Sequence, residues 1–441
     1  MIVMKPDLSS LMRKNRLTQL DRSIRYCLLT MAAACLLLYP LTGWGDPLPA
    51  SASWNLDTLP QGIRSNNLDI KAANWIIESA KARSRQAGKP ANPRLTSSSG
   101  RNTNNPEYLM GFSFQQAFPI TARLRLEKKV ALLNIQRAEM EVRWITHQKV
   151  SQALHTAIEW VALRDQLNLL EAQIELASSL DQYMQQQVDK AERSPLEASL
   201  SRIQMEELRW EATALPPEMH RLENQLRSLL GLPADQDFSM EGNLDAMMIP
   251  PAREFDIQNH PAAGMLQYDI QTHWATIDLE RSRKWADWFI ALSHQWSVEE
   301  DQPIGLERNR MLGLQLSIPL PWWQKNQGAV AASQANLEHS QASLEALNLE
   351  MQNEADSAFE SLIQARARFL TLKDEIIPMR EAHQQSLERA HRQGQATLEA
   401  LLRAMKETLD MKTDLLEVMK GFHLHQTHYL ALTQDLSLSD D

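Results

Sequence analysis

The sequence predicts a mainly α-helical protein with a small β part, built from one strand-and-long-helix module written twice. Three observations carry this. Residues 110–118 read Met-Gly-Phe-Ser-Phe-Gln-Gln-Ala-Phe and residues 312–320 read Leu-Gly-Leu-Gln-Leu-Ser-Ile-Pro-Leu, an offset of 202. The same offset relates Gly111 to Gly313, Pro119 to Pro321 and Leu196-Glu197 to Leu398-Glu399. Self-similarity on this scale has to be read before any motif, because it defines the unit that folds. Second, residues 120–194 contain neither glycine nor proline across 75 positions. Third, glycine is scarce at 14 residues in 441, and Ala, Leu, Glu, Gln and Arg dominate, a long-helix composition.

The first 45 residues read as a signal peptide. Lys14, Arg16, Arg22 and Arg25 precede an apolar run from Tyr26 to Tyr39, and Pro40, Gly43 and Gly45 follow where cleavage can occur. The run is about 14 residues, short of the roughly 20 that a spanning helix needs. An anchoring helix is the alternative, and Ala32-Ala33-Ala34 before Cys35 would permit a lipid anchor, although Leu36, Leu37 and Leu38 continue the apolar run. Both cysteines, Cys27 and Cys35, lie in this segment, so the exported chain would hold no disulfide, thiolate metal site or cysteine nucleophile. Removing it takes away a net charge of +4, moving the chain from −10 to −14. Such an acidic chain disfavours a nucleic-acid partner, which Lys and Arg bind through phosphate.

The first repeat is placed at 46–232. After a short region at 53–63, a helix is expected near 67–86, then a weak strand at about 94–99, a polar loop at 97–105 and a strand at 108–118. The long helix follows at about 120–193. Leu163, Leu167, Leu170, Ile174 and Ala177 recur at three- and four-residue steps, the seam of a coiled coil. Such a helix would be on the order of 110 Å long. Ser194-Pro195 opens a return helix at about 195–230, which Pro216-Pro217 should kink or split and which Gly231 and Pro233 end.

A linker at 233–258, rich in Asp, Pro and Met, leads to the second repeat at 259–432, with a tail at 433–441. A helix is expected at 261–285, a strand at 288–298, a polar turn at 299–308 and a strand at 310–320. The long helix is placed at about 322–393, with a seam through Ala358, Leu362, Ala365, Phe369 and Leu372, and Pro378 should bend it about one turn upstream. A turn at Gln393-Gly394-Gln395-Ala396-Thr397 precedes a return helix at about 398–432.

In the strand 310–320, Leu312, Leu314, Leu316, Ile318 and Leu320 share one face, and Gly313, Gln315 and Ser317 the other. Trp288, Ile290, Leu292 and Trp296 share a face of the preceding strand. An apolar face with a period of two, on strands of about 11 residues, fits the wall of a transmembrane β-barrel. Alternation alone fits a small sheet on a soluble core equally well. The sequence supplies at most four such strands, whereas a closed barrel takes about eight or more. Open strand edges in lipid leave backbone groups unpaired. Strands of a barrel would therefore be pooled across subunits, and the apolar seams of such long helices need neighbours too. Both arguments lead to a homo-oligomeric tube.

The run Leu316-Ser-Ile-Pro-Leu-Pro-Trp-Trp-Gln-Lys-Asn-Gln-Gly328 followed by Ala329-Val-Ala-Ala resembles the strand-to-helix junction of TolC-like outer-membrane efflux proteins, most of all their heavy-metal (CzcC-like) branch. Phe118-Pro-Ile-Thr-Ala-Arg-Leu-Arg is a looser counterpart, and Arg392-Gln-Gly394-Gln-Ala-Thr-Leu398-Glu-Ala-Leu-Leu402 resembles the family's Gly-x-x-x-Leu turn. The similarity covers about residues 55–432. It implies a homotrimer with a 12-stranded barrel in the outer membrane, a periplasmic barrel of twelve helices and an equatorial belt that includes the linker. It also implies a periplasmic adaptor and an inner-membrane pump of the resistance-nodulation-division type as partners. The junction residues would be Pro119, Pro319, Pro321 and Gly328. Arg193, Ser194, Pro195, Leu196, Gln393, Gly394, Thr397 and Leu398 would form the periplasmic tips. Where the family often carries aspartates after the tip glycine, Ala400 and Arg403 stand here. Glu197, Glu399 and Arg403 are then the candidates for a pore constriction, and for the two glutamates an ordinary helix N-terminal role is the alternative.

No catalytic residue, phosphate-cradling loop or cofactor site emerges, and no enzyme is expected. Of His423, His425 and His428, helical spacing brings together only the last two, and two imidazoles do not complete a zinc set, so no metal site is expected. The function implied is a passive exit duct of a tripartite efflux system, with divalent metal ions as the cargo. Drug or protein export, or a periplasmic coiled-coil tether without a pore, are the alternatives.

Overall fold

In the computed structural model, residues 53–438 are described, apart from 105, 234–235, 237, 252–255 and 302–304. The expected signal peptide at 1–45, parts of the linker and the end of the tail lie outside the described residues.

Residues 53–63 are not merely a lead-in. Strand β1 (Ser53–Trp54) is followed by helix α1 (Leu59–Asn66), because Pro60 fits the first helical turn and Leu59 and Ile63, one turn apart, are both fully buried. Helix α2 (Leu68–Gln86) starts at the Asn67 cap, whose side chain accepts from the Ile70 N–H at 3.0 Å. Strands β2 (Arg94–Arg101) and β3 (Tyr108–Phe118) form a hairpin. The serines assigned to a polar loop at 97–105 are thus partly strand. Pairing with β3 satisfies their backbone while their side chains stay exposed.

Helix α3 (Arg123–Asp189) runs 67 residues without interruption, about 100 Å. It starts and stops three to four residues inside the predicted 120–193. The return helix is split, as the prolines require, into α4 (Pro195–Thr213) and α5 (Leu215–Leu230). Strand β4 (Ser239–Met240) pairs in parallel with β1. A 3₁₀ turn at Ile257–Asn259 leads into α6 (Pro261–Ser282), which ends three residues before the predicted 285.

Strands β5 (Trp288–Asp301) and β6 (Gly305–Ser317) correct the second hairpin. The predicted turn at 299–308 is mostly ladder, with Glu299 opposite Glu307 and Asp301 opposite Gly305. The apolar alternation stops there, but backbone pairing does not depend on it. At the other end β6 stops at Ser317, not 320, since Pro319 and Pro321 offer no N–H to a ladder. Helix α7 (Gln327–Leu370) accordingly begins five residues later than predicted. A π-helical stretch, Thr371–Ile376, then precedes α8 (Ile377–Arg392). It lies in the turn upstream of Pro378, where the missing N–H breaks the regular ladder. Helix α9 (Leu398–Thr433) closes the chain.

The four long strands form one antiparallel sheet in the order β2-β3-β5-β6, so each repeat contributes one hairpin and both sheet edges are open. Below the sheet, α3 packs on α2, α4, α6 and α9, and α9 on α7 and α8. The largest core joins Val150, Ala157, Val161, Leu226, Leu362 and Phe422, where α1 and α5 wrap the middle of the long helices. Toward the tips narrow seams are buried, Leu170 and Ala177 in one arm, Met184, Ala198 and Leu398 near the tips, and toward the sheet Val142, Ala275, Ile277 and Leu337 are buried where α3, α6 and α7 meet.

Candidate functional site: a two-faced sheet, a proline junction and paired tips

The register divides the sheet into two chemically distinct faces. Successive cross-strand rows read Phe114–Leu292–Leu314, Phe112–His294–Leu312 and Met110–Trp296–Arg310. The intervening rows read Gln115–Ala291–Gln315, Ser113–Ser293–Gly313 and Gly111–Gln295–Met311. One face is therefore aromatic and leucine-rich, the other small and polar. Leu312 and Leu314 are 73% and 78% exposed, at positions that none of the described residues covers. Exposed Trp322 and Trp323 stand just past the helix-side end of that face, and Tyr108 and Trp296 near the far end. Aromatic girdles at two levels bracket a lipid-facing band in barrel walls. Among the described residues no helix is long and apolar enough to cross a membrane.

The expected weak first strand is part of this sheet. β2 pairs along its full length with β3, from Arg94–Gln115 to Arg101–Tyr108, but it puts Ser97 and Ser99 on the apolar face.

At the junction, Pro119 follows β3, and Pro319 and Pro321 follow β6. The turn into α7 is held by Asn326, in the left-handed region at φ 60°, whose amide donates to the Glu280 carbonyl at 2.8 Å and to Glu280 Oε2 at 2.6 Å. Beside it, Arg123 bridges Asp287 at 2.6 Å and Glu127 at 2.9 Å. Arg283 joins Glu280 at 2.7 Å. These half-buried ions fix the ends of α3 and α6 under the sheet, a part that sequence spacing did not reveal. Gly328 has no atom within 4 Å of where a Cβ would sit, so nothing within the chain demands a glycine there.

The two tips are built alike. After Asp189 and Arg392, Lys190 and Gln393 cap the helices, and Ala191 (φ 57°) and Gly394 (φ 75°) turn the chain left-handed. The Glu192 N–H donates to the Gln187 carbonyl at 2.9 Å, and the Gln395 N–H to the Ala390 carbonyl at 2.8 Å, which is Schellman closure at both ends. Ser194 and Thr397 then cap α4 and α9, accepting from the Leu196 and Ala400 N–H groups. Ala191 therefore corresponds to Gly394, Ser194 to Thr397 and Pro195 to Leu398, an offset of 203. The expected equivalence of Glu197 and Glu399 is corrected by one residue, because the left-handed residue sets the register and not the Leu-Glu pair. Replacing Ala191 with glycine should stabilise the first tip by about 1 kcal/mol, since a Cβ in this region costs about 1–2 kcal/mol before glycine's greater chain entropy is subtracted. Slower amide exchange at 187–195 would show it; faster exchange would mean the turn is not strained.

The tips also hold each other. Arg193 donates to the His391 carbonyl at 3.1 Å and lies 3.7 Å from Glu197. His391 is buried and its Nδ1 bonds the Ala396 carbonyl at 3.0 Å, a role its sequence context did not signal. Glu399 and Arg403 pair at 3.1 Å on an exposed face. Each candidate constriction carboxylate thus faces an arginine of its own tip.

His423 and His428 are occupied separately: His423 Nε2 bonds the Leu244 carbonyl at 3.0 Å, and His428 Nε2 lies 3.9 Å from Glu354. Among the described residues no group of three or more His, Cys, Asp or Glu side chains could hold a metal ion. A buried cluster that the sequence did not announce joins Trp144, His147, His260 and Asp435. The His147 and His260 rings are 5.0 Å apart. His147 Nδ1 accepts from the Leu436 N–H at 3.2 Å, and His260 Nδ1 caps α6 by accepting from Ala262 at 3.3 Å. Burial, then the neighbouring His147, depresses His260 to about 4.

No protein-family profile matches the chain. The outer-membrane channel OprN superposes with a TM-score of 0.69 at 14% identity, over 87% of this chain and 91% of that one. The chain has the TolC-like channel fold. CusC shares this channel fold with a TM-score of 0.66 at 17% identity, over 90% of this chain and 95% of that one. CmeC of Campylobacter jejuni does so at 0.67 and 12%, over 86% and 85%. In sequence, the cobalt-zinc-cadmium resistance protein CzcC of Cupriavidus metallidurans is 20% identical over 338 residues, which is 75% of this chain and 78% of that protein.

Proposed function

We propose that the chain is the outer-membrane exit duct of a tripartite efflux system, with divalent metal ions as its cargo. The observation that carries this is the two-faced sheet with open edges at β2 and β6. An apolar face needs lipid, a polar face needs water, and open edges in lipid need partners. Three copies placed edge to edge make a closed wall of twelve strands with its small polar residues inside. The homotrimer is also supported by α4, where Leu196, Leu200, Ile203 and Trp210 lie exposed at helical spacing, and Ile203 and Trp210 line a groove of about 670 Å³. A neighbouring copy would cover them.

The duct does no chemistry. Solute is driven by an inner-membrane pump of the resistance-nodulation-division type through a periplasmic adaptor that docks at Arg193–Leu196 and Gln393–Leu398. The metal cargo rests on the likeness to a cobalt-zinc-cadmium resistance protein. Single-channel recording in planar bilayers tests the duct: a steady pore is expected, and a folded helical protein that never inserts would sink the reading. A deletion strain should become sensitive to cobalt, zinc or cadmium. Sensitivity to antibiotics alone would remove the metal cargo.

A further inference from the structure

All four strand ends that connect to helices, near residues 94, 118, 288 and 317, lie at one end of the sheet; the hairpin turns after Arg101 and Asp301 lie at the other. At that far end the apolar face changes character. The last rows on it read Arg101–Tyr108–Val298–Arg308 and Ser99–Met110–Trp296–Arg310. Three arginines thus stand on the same face as Leu312 and Leu314, level with or just beyond the aromatic residues. The acids of the hairpin are largely turned away: Glu299 and Glu307 pair on the polar face, and only Glu300, opposite Leu306, lies one row further out on the arginine side. Among the described residues none of the three arginines makes a salt bridge, and all are exposed.

Edge-to-edge closure brings these groups together. β6 of one copy runs antiparallel to β2 of the next, so Arg308 and Arg310 on one edge and the neighbour's Arg101 on the other stand at the same hairpin end of adjoining strands, which lie about 5 Å apart. A guanidinium on a lipid-facing surface needs an anion, and its planar fork matches phosphate oxygens in pairs. Cations at the headgroup level above an aromatic girdle meet lipid phosphates, not solvent anions, because the face they occupy is the one that lipid covers. On the duct reading, the end remote from the helices is the outer leaflet, whose glycolipid carries phosphates on a sugar head group.

We propose that Arg101, Arg308 and Arg310 form a phosphate-binding rim at each subunit boundary that seats the phosphorylated head group of outer-leaflet glycolipid. The inference rests on the duct reading. It gives the polar strand β2 a role: Ser97 and Ser99 weaken its own hold on acyl chains, and a lipid seated across the β6–β2 seam would clamp the weakest joint of the wall.

The test is native mass spectrometry of the purified channel with diphosphoryl lipid A, with the same lipid stripped of phosphate, and with inorganic phosphate as competitor. The wild type should hold the diphosphoryl form on the order of 100-fold more tightly than the R101Q/R308Q/R310Q variant, about 1 kcal/mol per arginine. The dephosphorylated lipid should not distinguish the two proteins, and free phosphate should not displace the lipid. Glu299→Gln, on the polar face, should leave binding unchanged. Equal affinity of both lipids for the wild type, or full affinity in the triple variant, overturns the rim; R310Q alone serves if the triple variant does not assemble. Conductance separates the two readings. A wild type that conducts but binds without regard to the arginines loses only the rim, whereas one that never inserts loses the duct and the rim with it.

Discussion

Leu314→Arg should abolish assembly in the membrane, while Gln315→Arg, one residue along the same strand, should assemble and conduct. Leu314 lies in the middle row of the apolar face, opposite Leu292 and in line with Phe114, and is 78% exposed. Arginine at the midplane of a barrel's lipid face costs about 2–4 kcal/mol, so three copies would lose on the order of 10 kcal/mol in one assembly. That is comparable to the whole stability of an ordinary domain. Gln315, opposite Ala291, faces the polar side, where an arginine stays hydrated. There it should shift ion selectivity toward anions by adding one positive charge per subunit to the lumen. The readouts are the heat-labile trimer in membrane fractions and the reversal potential in bilayers under a salt gradient. If both variants assembled equally, the sheet would not be lipid-facing and the two faces would have been assigned wrongly.

The same pair of residues shows why so much of the architecture was readable. A period of two in Leu312, Leu314 and Leu316 and an unbroken seam from Leu163 to Ala177 are consequences of the backbone repeat, and they need no knowledge of distant partners. What was missed depends on backbone or long-range terms. The stretch at 299–308 reads as a polar turn because the apolar alternation ends there, yet the ladder continues to Asp301 and Gly305. The tip register was misread by one residue because Leu196-Glu197 and Leu398-Glu399 look alike, whereas the chain turns at Ala191 and Gly394. An alanine gives no sign of a left-handed conformation. The junction ion pairs, such as Arg123 with Asp287, and the contact of Arg193 with the His391 carbonyl join residues more than 150 positions apart, which no local spacing encodes. Of the gate candidates, Glu399 and Arg403 are legible as an i,i+4 pair on a helix, whereas Arg193 precedes α4, so its approach to Glu197 depends on how the tip turns.

Acidification should loosen the end of the return helix through His260. Its ring is buried against His147 and Trp144, with Asp435 near and Ala431 bonding it through the backbone. Burial holds it at about 4 when folded, against an ordinary value of 6.5. Between those two pH values the unfolded chain binds the extra proton and the folded one does not, so stability rises with pH across this window. The contribution is complete above about 6.5, falls as pH drops toward 4 and does not fall further below that; at most it amounts to about 3 kcal/mol. His147, also lowered by burial, acts in the same direction, while Asp435 opposes it. Since His147 and Arg64 hold Leu436 by its N–H and its carbonyl, protonation of the pair should release the segment after Tyr429 before the long seams open. Amide exchange at residues 429–438 should therefore quicken between pH 7 and 4.5, after correction for intrinsic chemistry, far more than at 150–162 on α3. His260→Asn keeps an acceptor at the α6 cap and removes the titration, so most of the difference should vanish in that variant. An unchanged pH dependence in His260→Asn would assign the acid sensitivity to His147, whose removal costs the tail its Leu436 bond at every pH.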